Sequence, residues 1–221
     1  MIYKNKTKWY RQVLAAVATL LISIGLGSTE PGILQASNVP EANPIVAEEI
    51  SSAIWKHGSF PVENFQSYTS PFGYRISPID GRRQFHNGLD MAAPRGSYVR
   101  SWWTGTVTKV SDNTACGTSL TIESGAWNHT YCHLEGHVEN SPQGLSIIDR
   151  AGGIQIVKGQ QIPVGARIGR IGMTGRTTGP HLHWVLRHND SYVDPALVLK
   201  EMFKNQTVSA SLSLKGGHDE G

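Results

Sequence analysis

Residues 181–187 read HLHWVLR, and the alternation within them decides the fold. Two imidazoles at i and i+2, with an apolar residue between them and Trp and Val following, describe a strand with one polar and one dry face. On such a strand His181 and His183 project together, about 7 Å apart, and Leu182 turns into a core. The same period recurs upstream in SYVRSWW (97–103), GTVTKVS (105–111), SLTIES (119–124), HTYCHL (129–134), IQIV (154–157) and ARIGRIG (166–172). Gly, Pro and Asp separate these runs every few residues, as turns require. Nothing after residue 60 shows sustained helical periodicity. The expectation is an all-β, or β-dominated, domain over 65–203. Residues 139–153, ENSPQGLSIIDRAGG, read as a loop insertion between strands. The polar, Gly-rich stretch 204–221 reads as a disordered tail.

The flanking sequence has a different texture. Lys4, Lys6, Lys8 and Arg11 precede an uncharged run from Val13 to Leu26. That run is shorter than the roughly 20 residues of a membrane span. Residues 1–36 therefore read as a secretory signal cleaved near Ala36, or as an uncleaved anchor through residues 9–27 with Trp9 and Tyr10 at the interface. With no cysteine nearby, a lipid anchor is not expected. Residues 37–64 form a linker or lead-in, with a short helix expected around EEISSAIW. The net charge of +3 comes from the first 36 residues, which hold four basic residues and one acid. Removing them from 20 basic and 17 acidic residues leaves 16 of each. A neutral remainder with no basic stretch argues against nucleic acid as a partner. In an exported chain the two cysteines, Cys116 and Cys132, read as a disulfide.

Nine histidines are unevenly placed. HxH at 181–183 suits a metal centre, with both rings on the ion or one on the ion and one beside its water. FHNGLDM carries His86 and Asp90, which on a straight strand would be about 13 Å apart. They become a metal pair only if the chain bends at Asn87-Gly88. In NHTYCHLEGH, His133 is the best buried candidate, while His129, near a turn, is expected to be exposed. His57, His188 and His218 have no constellation around them. Zinc enzymes use three protein ligands and leave a fourth position to water, whose pKa falls to about 7. A neutral histidine nearby can accept the proton.

SPFGYRISPIDGRRQFHNGLDMAAPRGSYV, then YCHL, then GMTGRTTGPHLHW resembles the lysostaphin/LytM-type zinc endopeptidases that cut peptidoglycan peptides, over roughly residues 65–200. The resemblance implies an antiparallel β-sheet groove with one zinc ion on its floor. It assigns His86, Asp90 and His183 as ligands. His133 and His181 then flank the catalytic water that attacks the scissile carbonyl. It further implies an exported protein acting in the periplasm, cell envelope or medium, as a monomer, on stem peptides or cross-bridges. Which bond is cut stays open. Two departures from the simplest members are the 139–153 insertion and the cysteine pair, expected to pin the strands around His133.

The competing reading is a non-catalytic regulator of the same fold, its groove occluded by 139–153 or by 37–64. Other HxH zinc enzymes fit poorly. A carbonic-anhydrase-like site needs a third histidine near position 206, which is Gln206. HExxH and HxHxDH are absent.

Overall fold

The structure is a computed structural model that describes residues 56–215, with side chains as far as residue 210. The expected signal or anchor and the helix expected near 48–55 lie outside the described residues. In chain order the strands are β1 (Ser67–Ser70), β2 (Gly73–Ile76), β3 (Arg83–His86), β4 (Leu89–Ala92), β5 (Tyr98–Arg100), β6 (Gly105–Ser111), β7 (Ser119–Ser124) and β8 (Trp127–Cys132). They continue with β9 (His137–Ser141), β10 (Gly144–Asp149), β11 (Ile154–Val157), β12 (Gln161–Ile162), β13 (Arg167–Arg170), β14 (His181–His188) and β15 (Ser191–Val193), followed by helix α1 (Pro195–Lys215).

The principal sheet runs β1-β4-β14-β8-β7-β6-β12, with β15 also paired to β14. Its pairings are antiparallel, and β6–β7, β7–β8 and β14–β15 are joined by the short connections that antiparallel neighbours allow. The HLHWVLR alternation holds: Leu182, Trp184 and Leu186 are fully buried on one face of β14. They pack with Leu120, Ile122, Tyr131 and Met91 from the neighbouring strands. Each such side chain removed from water contributes about 1.5–3 kcal/mol. The opposite face, carrying His181 and His183, forms the floor of an open cleft of about 750 Å³. The hairpin β2–β3 supplies a wall. Tyr74, Ile76 and Phe85 point outward and are exposed; Arg75, Gln84 and His86 line the cleft.

Three expectations are corrected. Residues 139–153 are not a loop: β10 pairs with β9 on one side and β11 on the other in a three-stranded sheet, and Arg150–Gly152 make one 3-10 turn. LSII alternates too briefly to stand out beside the turn formers around it, but Ile147, Ile154 and Ile156 are buried in the common core. A helix does follow residue 60. Asp194 caps α1 by accepting the Ala196 N–H at 2.9 Å, and Pro195 stands at its first position, where no N–H is needed. Among its described side chains the large apolar residues that are buried are Val198, Leu199 and Met202. The stripe is little more than one turn long and gives weak periodicity. Consequently the stretch from 204 to Lys215, expected to be disordered, is helical.

Within the expected lead-in, residues 59–63 lie along β5. Arg100 N–H bonds to the Pro61 carbonyl and Glu63 N–H to that of Tyr98, both at 2.9 Å. Val62 is buried there.

Candidate metal centre

The site begins with register. On β14, His183 lies opposite Asp90 of β4 on one side and Cys132 of β8 on the other. Directly opposed residues have Cβ atoms about 5 Å apart, so pairing alone brings Asp90 to His183. His86 comes from the next element through a bend: β3 ends at His86 and β4 starts at Leu89. Gly88 sits in that bend hard against β14. A Cβ there would lie 2.6 Å from the Trp184 carbonyl oxygen and 2.7 Å from His183 Cε1, closer than any side chain permits.

His86 Nε2, Asp90 Oδ1 and His183 Nδ1 converge. Their separations are 3.1 Å between His86 and Asp90, 2.7 Å between His183 and Asp90, and 3.0 Å between the two rings. Tetrahedral zinc with bonds of about 2.0–2.1 Å has ligand–ligand edges of about 3.3 Å, so the triangle is close to one face of such a site. The ring tautomers agree. A carbonyl can only accept, so His86 Nδ1–H donates to the Pro71 carbonyl at 2.7 Å, leaving Nε2 with its lone pair inward. His183 Nε2–H donates to Asn87 Oδ1 at 3.2 Å, leaving Nδ1 inward. Two neutral imidazole lone pairs and a carboxylate oxygen thus face one point, an arrangement that a cation relieves. Burial acts to raise the Asp90 carboxyl, but His183 and His86 outweigh it and hold the carboxyl well below the usual range. Burial pushes the His183 imidazole down, against the pull of Asp90. This donor set fits zinc, and among the described residues His86, Asp90 and His183 are the one group of metal-ligating side chains brought this close.

His133 and His181 stand beside the triangle, their ring centroids 4.9 Å apart. His181 Nδ1–H donates to the Gly179 carbonyl at 2.8 Å, and His181 Nε2 is 3.6 Å from Asp90 Oδ1. His133 Nδ1–H donates to the Thr174 carbonyl at 2.8 Å. Each is therefore left with an unprotonated Nε2 when neutral. Burial pushes His133 down to about 4, so its ring is neutral at pH 7. His133 has a left-handed backbone, φ +62°, a conformation that costs a non-glycine residue roughly 1–3 kcal/mol and needs surrounding support. That support is on both sides: His133 N–H bonds to the Cys116 carbonyl at 2.8 Å, and the His133 carbonyl accepts from Gly172 at 2.9 Å. A disulfide joins Cys116 to the preceding residue, Cys132.

All five residues singled out from the sequence line this one cleft. His129, expected to be exposed, is fully buried on the core side of β8, bonded to Tyr131 Oη at 2.8 Å and Ser124 Oγ at 2.9 Å. The turn near it had suggested exposure, but parity places His129 with Tyr131 on the dry face. Sequence reasoning missed the residues that hold the rings, namely Asn87 and the carbonyls of Pro71, Thr174 and Gly179. All four lie inside the quoted motifs, but the three that act through a carbonyl carry no signal, since any residue has one.

Residues 84–195, just over half of the sequence, match the pattern of peptidase family M23. The chain belongs to peptidase family M23. Over 153 residues, 68% of its length, it is 34% identical to the DD-carboxypeptidase/endopeptidase Mpg of Neisseria meningitidis, of which that match covers 32%. It is 32% identical over 157 residues to the peptidoglycan DD-endopeptidase ShyB of Vibrio cholerae, covering 68% of this chain and 33% of that one. The chain thus spans about a third of the length of these curated relatives. Among solved structures, a zinc-containing peptidase from Vibrio cholerae aligns with a TM-score of 0.48 and 32% identity, covering 61% of this chain and 37% of that one.

Proposed function

We propose that this M23 domain is a zinc-dependent endopeptidase that hydrolyses peptide cross-links of peptidoglycan. The observation that carries the reading is the convergence of the His86, Asp90 and His183 donor atoms on the floor of an open cleft. The names of its relatives, a DD-carboxypeptidase/endopeptidase and a peptidoglycan DD-endopeptidase, support the substrate class. In this reading His86 Nε2, Asp90 Oδ1 and His183 Nδ1 hold the ion. Bound there, zinc would supply Lewis acidity and bring a water's pKa near 7.

The remaining work falls to the chain's own side chains. The cleft floor positions an extended peptide across β14. His181 is anchored through Nδ1, so Nε2 is the atom that accepts the water's proton and returns it to the departing amine. His133, neutral and anchored in the same sense, turns its Nε2 lone pair to the same space, where it accepts a hydrogen bond from the attacking water and orients it. Peptidoglycan lies outside the cytoplasmic membrane, so the reading entails export. Among the described residues no helix is long and apolar enough to cross a membrane, and a monomer suffices because all five side chains come from one chain.

The alternative, a regulator plugged by 139–153, receives no support from the cleft: none of those residues lines it. The deciding experiment is muropeptide analysis of purified sacculi incubated with the full chain, with and without a zinc chelator. Chelator-sensitive loss of cross-linked dimers is expected. Unchanged dimers with a protein carrying one zinc would overturn the catalytic reading.

A further inference from the structure

One cation in the cleft has no role in the mechanism above. Arg75 projects from β2 on the wall facing β14, its side chain 22% exposed. Its Nε is buried in the wall without a hydrogen-bond partner, so the protein leaves that donor unmet. Its ion-pair contact among the described residues is Asp90 Oδ2 at 3.6 Å, beyond hydrogen-bond length. The other oxygen of that carboxylate faces His86 and His183, so on the proposed reading its charge is turned to a divalent cation and Arg75 is left unbalanced. Other arginines of the cleft differ: Arg176 donates to Asp80 Oδ2 at 3.2 Å and Arg187 to the Asp190 carbonyl at 2.8 Å.

A guanidinium whose one ion pair among the described residues is as long as that of Arg75 is suited to bidentate capture of a carboxylate. It sits one carboxylate's width from the reacting centre. The acyl residue of the scissile bond has its carboxyl group consumed in that bond. The nearest free carboxylate a peptide can offer is therefore the α-carboxylate of the residue that leaves as the amine, two bonds from the scissile nitrogen. We propose that Arg75 binds this α-carboxylate and so selects peptides in which it is free. In an ordinary mid-chain bond it is occupied by the next amide. It is free at a chain terminus, and at a cross-link made through one centre of a diamino acid whose own carboxyl is unblocked. This rests on, and deepens, the peptidase reading: the bonds cut are those whose amine-side residue carries an unblocked carboxylate.

The test uses the zinc-loaded full chain and a pair of N-acylated peptides ending in D-Ala-D-Ala, one a free acid and one a C-terminal amide. Cleavage is followed as kcat/KM and binding by calorimetric titration, for the wild type, Arg75→Gln and Arg75→Lys, with zinc content measured for each. The wild type is expected to prefer the acid by roughly 10- to 100-fold, the worth of one charge-assisted contact. Arg75→Gln should lose that preference with its zinc retained, and Arg75→Lys should recover part of it. An equal response to acid and amide in the wild type overturns the proposal. So does a preference that survives in Arg75→Gln, which would send the carboxylate elsewhere, or a loss of zinc from that variant, which would make Arg75 a support for Asp90. If the wild type cleaves neither peptide, the titration still decides. A preference for the acid that vanishes in Arg75→Gln keeps the subsite, and the sacculus assay above decides the peptidase reading separately.

Discussion

The buried His129 should make the domain acid-sensitive independently of the cleft. Burial pushes its imidazole down to about 3, against about 6.5 in the unfolded chain. The native state therefore binds fewer protons than the unfolded state throughout that window. Stability is full above about pH 6.5 and falls as the pH drops toward 3. At about pH 5 the unfolded chain is almost fully protonated at this residue and the native state hardly at all, a difference of about 2 kcal/mol relative to pH 8. Glutamine at 129 can keep bonds to Ser124 and Tyr131 without titrating. Urea unfolding of the wild type and His129→Gln, both in chelator so that metal binding does not contribute, should give free energies that diverge with pH. The wild type should lose about 2 kcal/mol more than the variant between about pH 8 and pH 5. His133 and His183 titrate in both proteins and cancel in the difference. Parallel profiles for the two proteins would refute the reasoning and mean that His129 takes up its proton without leaving the core.

Three further outcomes follow from the centre. His183→Ala should lose both metal and hydrolysis, whereas His181→Ala should keep its zinc and lose about 10²-fold or more in kcat; elemental analysis after dialysis, together with turnover, separates the two. Gly88→Ala forces a methyl group to within 2.7 Å of His183 Cε1, so zinc affinity measured by chelator competition should fall by about tenfold or more while the fold persists. Removing the disulfide by Cys116→Ser and Cys132→Ser together should lower the melting temperature by roughly 5–10 °C, the worth of about 3 kcal/mol of loop closure in a domain of this size. An unchanged melt would mean that the cross-link does not constrain the unfolded chain.

The strand content was legible because a half-buried strand writes its two environments into alternate residues. HLHWVLR named both the dry face of β14 and the pair of imidazoles on the other. The bend inside HNGLD was legible too, since His86 and Asp90 can meet only if Asn87-Gly88 turns the chain, and Gly88 leaves room for His183 to approach. Where the sequence misled, the pattern was too short or was read against its neighbours. LSII within 139–153 is only two periods of a strand, the described side chains of α1 bury little more than one turn of apolar residues, and His129 was judged by a nearby turn rather than by its parity with Tyr131.

By itself, then, the sequence determined which residues share a face: His181 with His183, and Leu182 with Trp184. Those relations are set by the backbone within a few residues. Only the tertiary structure decided that His86 meets His183 across 97 positions. It likewise decided that carbonyls of Pro71, Thr174 and Gly179 orient three rings, and that Arg75 faces the centre from the hairpin that carries His86. These depend on strand order and register, which are fixed by the packing of the whole core. Side-chain periodicity is blind to them, because it reports a face and never the strand that lies beside it.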